Sequence, residues 1–264
     1  MSSIEWRSLP EPMHVRAIDA ARSVLNRLGH IDTYIDRQLS LITRHPRTNQ
    51  EIAHLSQNHP EVFARDYFVK NVTKCAIAAE IYRSEFRNFR RVVDLGTGPG
   101  TFLFPFAFKL KNNEFVGVDI SGGALRLAES LFRECQLPIP LLIQGHVPYS
   151  LVAGGRFFTA SYLVTELDHQ DWANFVRWMS RRLDAQFLIV DYPDVVARLA
   201  SAVSNVRPCT SYMLKLQLPR DLASMVGDDE ITFGAAYAPV TGSSDAALSR
   251  ELGQPRYSKA HGSF

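Results

Sequence analysis

Cysteine is scarce in this chain. Cys75, Cys135 and Cys209 stand far apart along the 264 residues with no C-x-x-C pair, so neither a disulfide scaffold nor a zinc site is indicated. Long apolar runs are missing too. No stretch approaches the roughly 20 residues that cross a bilayer, and Met1 to Pro10 carries Glu5, Trp6 and Arg7 in place of a signal-peptide core. The expectation is a cytoplasmic protein with no membrane partner. Charge of one sign is lacking as well: a net charge of +2 and a pI near 8.4 neither indicate nor exclude a nucleic-acid or ribosomal partner. His54 and His59 lie five apart beside Pro60, off one helical face, so no metal is expected.

What the chain does have is apolar content, 46% of its residues, enough for a sizeable core. Residues 1–90 read as all-helical. Ile18, Ala21, Val24, Leu25 and Leu28 repeat at three and four within Glu11 to Leu28, and Gly29 follows as a C-terminal cap. Ile31, Tyr34, Ile35, Leu39 and Ile42 repeat likewise, and Thr48-Asn49-Gln50-Glu51 has capping-box spacing. Pro60 then opens a helix through Phe63, Tyr67, Phe68, Val72, Ile77 and Ile81, with a break expected near Asn71.

After that comes an apolar strand that runs into a glycine-rich turn, Val92-Val93-Asp94-Leu95-Gly96-Thr97-Gly98-Pro99-Gly100. Glycines let the backbone turn tightly and approach a ligand where a β-carbon would obstruct it. A helix from Thr101 onward directs free N–H groups at the same place. The next strand, Phe115 to Val118, ends in Asp119, about 20 residues beyond the glycines, where an acid can accept hydrogen bonds from the two hydroxyls of a ribose. These signals describe a nucleoside-containing cofactor lying across two adjacent parallel strands. Strands at Leu141–Gln144, 157–162 and Phe187–Val190 alternate with helical segments, which demands a parallel sheet covered on both faces. Two period-two runs, Tyr212 to Leu218 and Ile231 to Tyr237, close the sheet.

The spacing Gly96-x-Gly98-x-Gly100 preceded by Asp94 differs from the dinucleotide pattern G-x-G-x-x-G; it resembles the first motif of class I S-adenosylmethionine-dependent methyltransferases. The resemblance implies an α/β Rossmann-like seven-stranded, mostly parallel sheet with a final antiparallel strand, and S-adenosyl-L-methionine as cofactor. It also implies roles: Asp94 supports the turn and the methionine amino group, Gly96, Thr97, Gly98 and Gly100 pass under the methionine, and Asp119 with Ile120 holds the ribose. His146 and Val147, after the third strand, fall where relatives contact adenine. Ser161 and Tyr162, after the fourth, complete the expected cofactor set.

Ser161-Tyr162-Leu163-Val164-Thr165-Glu166-Leu167 resembles a segment of the methyltransferase-like family of small ribosomal subunit assembly. That family's cysteine-rich stretch is absent. Glu166 is a candidate general base, with Tyr67 as a positioning residue, and Tyr67, Phe68, Asn71 and Lys74 as candidate pocket lining. No Asn/Asp-Pro-Pro-Tyr/Phe run follows the fourth strand, which disfavours methylation of nucleic-acid amines. The organisation expected is a helical cap over residues 1–90 acting as a lid, a methyltransferase domain over 91–240 and a flexible tail over 241–264. The function expected is methyl transfer to a small-molecule acceptor; the alternative is a ribosome- or RNA-associated, non-catalytic protein. Homodimerisation is left open.

Overall fold

The computed structural model describes residues 9–29, 51, 54–55, 58–86, 89–147 and 157–241. The amphipathic run 31–42, nearly all of the capping box and the tail beyond Thr241 lie outside these. Seven strands form a single sheet in the order β3-β2-β1-β4-β5-β7-β6: β1 is Arg91–Leu95, β2 Glu114–Asp119, β3 Leu141–Gln144, β4 Phe157–Ser161, β5 Gln186–Asp191, β6 Thr210–Gln217 and β7 Glu230–Ala238. β7 runs antiparallel to both β5 and β6, while β3, β2, β1, β4 and β5 are mutually parallel. This is the Rossmann-like sheet expected from the sequence.

Side chains alternate between two cores, as the strand period requires. Val92, Phe157, Leu188 and Val190 point to one face, and Val93, Leu95, Phe158, Phe187 and Ile189 to the other. The second face is covered by α5 (His169–Arg181) and α6 (Pro193–Ser204), through Phe175, Met179, Val196, Leu199 and Val203. Asp168 starts α5 by accepting from the Asp171 N–H at 2.8 Å. Helix α6 was not signalled by the sequence reading, because Pro193 at its first turn reads equally as a stop.

The first face carries the segment expected to be a lid. Here α1 (Glu11–Leu28) packs along a longer helix, α2, which begins as Pro60–Phe63, widens into a π turn at Ala64–Phe68 and continues as Val69–Ile81. Val72, Cys75, Ala76 and Ile77 of α2 are fully buried in the same core as Val92, Phe157, Leu188 and Leu214 of the sheet. Packing therefore does not divide the chain at residue 90: α2 covers the sheet as a crossover helix does. α3 (Leu103–Lys109), α4 (Gly122–Glu134) and α7 (Arg220–Val226) complete this layer. Phe102, Phe104, Phe106 and Phe108 are buried in it, as their spacing suggests.

Gly29 caps α1 as expected, with a right-handed backbone at φ −54°. One local expectation is corrected: the chain is helical through Asn71, and the irregularity is the π turn just before it. A π turn adds one residue to the helical ladder and reorients the side chains around it. Those side chains include Asp66 and Tyr67.

Candidate active site

The register of the parallel strands builds the site. Asp94 sits between Gly117 on β2 and Thr159 on β4, and its two carboxylate oxygens accept from the hydroxyls of Thr97 and Thr159, each at 2.7 Å. Only 1% exposed, the carboxyl is pushed up to about 7 by burial, against the opposing pull of the Thr159 and Thr97 hydroxyls. Asp94 thus clamps the turn from below and does not line the cleft above it. Gly100 is likewise part of the foundation, facing Phe132.

All three glycines of the turn have positive φ, and two of them, Gly96 and Gly98, line the cleft. Gly96 has φ +62°, and a β-carbon there would lie 2.8 Å from Leu163 Cδ1. Gly98 has φ +52°, and a β-carbon there would meet nothing within 4 Å, so that face of the backbone is open to whatever enters the cleft. Asp119, at the end of β2, accepts from the Gly98 N–H at 2.7 Å through Oδ2 and from the Ser121 N–H at 2.8 Å through Oδ1. Burial raises its carboxyl, and these backbone donors oppose the rise.

A cleft of about 250 Å³ opens over the turn, at the carboxyl ends of β1, β2 and β4. Of the sequence-predicted cofactor residues, Gly96, Thr97, Gly98, Asp119, Ile120, His146, Val147, Ser161 and Tyr162 all line it. Ile120 is 44% exposed there, an apolar side chain held against the opening beside an acid. His146 is exposed on the rim. This is where an open α/β sheet places its ligand.

A second cavity, about 310 Å³, adjoins the first. Phe63, Asn71, Tyr162 and Glu166 line both, so the two spaces share a wall. The second is otherwise bounded by Asp66, Tyr67, Lys70 and Lys74 from α2, by Thr165 and Tyr192, and by Val226, Gly227 and Asp228. Both candidate catalytic residues, Tyr67 and Glu166, are brought to it. Phe68 is not: it is fully buried against Phe104, ring centroids 5.4 Å apart. A helix turns only part of its circumference to a pocket, and Phe68 lies on the side that faces the core.

Glu166 lies in the short 3-10 turn Val164–Glu166, and Asp191 anchors that turn. The Asp191 carboxylate, fully buried at the end of β5, accepts from the Thr165 N–H at 3.1 Å and the Tyr192 N–H at 2.8 Å. Burial pushes it up to about 7. Tyr162 has φ +57°, a conformation few side chains tolerate, and its ring meets Tyr192 edge-on at 5.2 Å. The phenol oxygen accepts from Lys74 Nζ at 2.6 Å. Nothing in the sequence marked Asp66, Lys70 or Asp228, since no spacing relates the first two, on α2, to a position after α7. Among the described residues no cluster of His, Cys, Asp and Glu could hold a metal.

Residues 92–186 match the family model described as a methyltransferase domain. They run from the first residues of β1 to the start of β5, the part of the chain that makes the glycine turn, Asp119 and the cleft. Over that stretch the chain is similar to a methyltransferase domain. No curated protein matches the sequence. Solved structures with a similar fold include the YcgJ protein from Bacillus subtilis, 16% identical over 62% of this chain and 98% of that one, TM-score 0.44. A SAM-dependent methyltransferase from Aquifex aeolicus is 12% identical over 74% of this chain and all of that one, TM-score 0.45. The Pyrococcus abyssi tRNA (uracil-54, C5)-methyltransferase in complex with S-adenosyl-L-homocysteine is 12% identical over 63% of this chain and 38% of that one, TM-score 0.46. None of these likenesses carries an acceptor over to this chain.

Proposed function

We propose that the protein is a methyltransferase that binds S-adenosylmethionine in the 250 Å³ cleft and transfers its methyl group to a small molecule held in the adjoining 310 Å³ cavity. The observation that carries this reading is the shared wall of Phe63, Asn71, Tyr162 and Glu166. A donor above the glycine turn and an acceptor beside Tyr67 would meet across it. Asp119 fits the ribose hydroxyls, Ile120 the apolar side of the nucleoside, and the open face of Gly98 the methionine backbone.

The cofactor supplies a methyl group on a sulfonium, already activated for in-line displacement. What the chain must add is alignment, exclusion of water and a destination for any proton the acceptor loses. Alignment falls to the aromatic residues Phe63, Tyr67, Tyr162 and Tyr192. Glu166, at the junction of the two spaces, is placed to take a proton from an acceptor hydroxyl or amine. The charges around the second cavity are mixed, with Asp66, Glu166 and Asp228 set among Lys70 and Lys74. A phosphodiester backbone is held by cations clustered together, and this wall favours a small acceptor over RNA. Calorimetric titration with S-adenosylmethionine tests the first half of the reading. Saturable binding is expected; absence of heat and of any thermal shift at millimolar cofactor would overturn it.

A further inference from the structure

We propose that the acceptor is a small planar carboxylic acid, its carboxylate held by Lys74 and its flat body by the aromatic wall. This rests on reading the 310 Å³ cavity as the acceptor's. Lys74 stands on α2 with its side chain reaching into that cavity, and it is 7% exposed. Its ammonium has three donors. One is directed to the Tyr162 phenol at 2.6 Å, with the ammonium 4.9 Å from that ring's centroid. No carboxylate among the described residues lies within ion-pair distance of it.

The other charges facing the cavity are engaged elsewhere. Lys70 pairs with Asp228, and Asp66 with Arg65 at 2.6 Å. Asp191 is committed beneath the 164–166 turn through the Thr165 and Tyr192 N–H groups. Glu166 is exposed at the junction and has contacts of its own. The cavity therefore presents one buried cation with no carboxylate paired to it, Asp228 and Asp191 acting on it only from a distance; such a cation is costly for the protein to keep, and a ligand's anion would offset that cost. A single cation suits a monoanion better than a phosphate dianion. Phe63, Tyr67, Tyr162 and Tyr192 supply faces and edges for a flat body between the amine and the cofactor cleft. Burial, followed by the nearby positive charge of Lys70, lowers the ammonium to about 8, so its charge is present at neutral pH and lost just above.

The test uses the full chain saturated with S-adenosylhomocysteine, titrated calorimetrically with benzoate and, separately, with benzamide. Benzoate should bind at least roughly tenfold more tightly than benzamide, the size of a charge-assisted contact. Lys74→Met should abolish that preference while S-adenosylhomocysteine still binds. In the wild type, benzoate affinity should fall roughly tenfold between about pH 7 and about pH 9 as the amine loses its proton, and benzamide affinity should not move. The pH series needs no variant and stands if Lys74→Met fails to fold. Equal binding of the two probes, binding of neither, or a preference retained in Lys74→Met would overturn the proposal. If S-adenosylhomocysteine itself fails to bind, the methyltransferase reading falls instead, a distinguishable result.

Discussion

Replacing Asp119 tests the cofactor cleft most directly, because the structure gives this carboxylate two duties. It accepts from the Gly98 N–H at 2.7 Å and the Ser121 N–H at 2.8 Å, which uses about half of the four lone-pair sites of an ionised carboxylate. The remaining sites are available to the ribose hydroxyls. Each hydrogen bond to a charged acceptor contributes about 1.5–3 kcal/mol. Water in an open cleft replaces part of that, so Asp119→Ala should cost about 1.5–3 kcal/mol in all, ten- to roughly a hundredfold in Kd for S-adenosylmethionine. Asp119→Asn is the sharper probe. It keeps the shape but sets an amide NH2 against one of the two backbone N–H groups, so it should lose nearly as much as alanine. Calorimetry on variants with an unchanged far-ultraviolet spectrum reads both. Because burial raises the carboxyl, wild-type affinity should also begin to weaken at a higher pH than an ordinary aspartate would give. If both variants keep the wild-type Kd within about twofold, well below the expected loss, the ribose is held elsewhere and Asp119 only braces the turn.

Gly98→Val places a branched side chain in the open space above the turn and in a left-handed conformation; cofactor binding should become undetectable by calorimetry while the protein stays folded. Asp94, raised by burial from 3.8 to about 7, binds its proton more tightly folded than unfolded, so it contributes stability below about pH 3.8 that is lost as the pH rises through 7. Thermal melts from pH 4 to pH 7 should thus decline less steeply in Asp94→Asn than in the wild type, with Asp191 and Asp119, both raised by burial, contributing to the slope that remains. Arg207, 2% exposed, donates to the carbonyls of Met179, Arg182, Ala185 and Pro239; Arg207→Met leaves these without their donor and should cost about 2–4 kcal/mol, read as a midpoint lower by roughly 5–12 °C. Deleting residues 1–59 removes Ile18, Ala21, Val24, Leu25 and Leu28, all buried in the common core. At about 1.5–3 kcal/mol for each of the larger side chains, the loss rivals a domain's whole stability of about 5–15 kcal/mol, so the truncated protein should lack a cooperative melt.

The cofactor cleft was legible in the sequence because its parts are local. A strand, a glycine turn and an acid at the end of the next strand follow one another within 28 residues, Val92 to Asp119, and parallel pairing necessarily brings Asp119 beside the turn. Asp94 was read as supporting the turn as well as the methionine, and the structure shows the first through Thr97 and Thr159; Gly100, read as part of the loop under the methionine, faces Phe132. Sequence shows that a residue belongs to a turn, and not which side of it faces out. The seven strands and a final antiparallel one followed from the period-two runs and the family resemblance; the strand order was not read from the sequence. Helix α7 and the burial of α2 did not, because amphipathic spacing shows that a helix has an apolar face without naming what covers it.

The second cavity was the least legible part, and its construction explains why. Its walls come from α2, the end of β4, the 164–166 turn, the end of β5 and the loop after α7, segments joined only by tertiary packing. Helix α2 does two things at once there: its Val72, Cys75 and Ile77 close the sheet's core, while Tyr67, Lys70, Asn71 and Lys74 turn to the cavity. The π turn at Ala64–Phe68 directs Tyr67 into the cavity while its neighbour Phe68 stays in the core. A wall set into the core is more rigid than a hinged lid, and rigid walls hold an acceptor in line at less entropic cost. On the proposed reading, acceptor specificity resides in the side chains of α2 that face Tyr162, and the one among them with no carboxylate at ion-pair distance is Lys74.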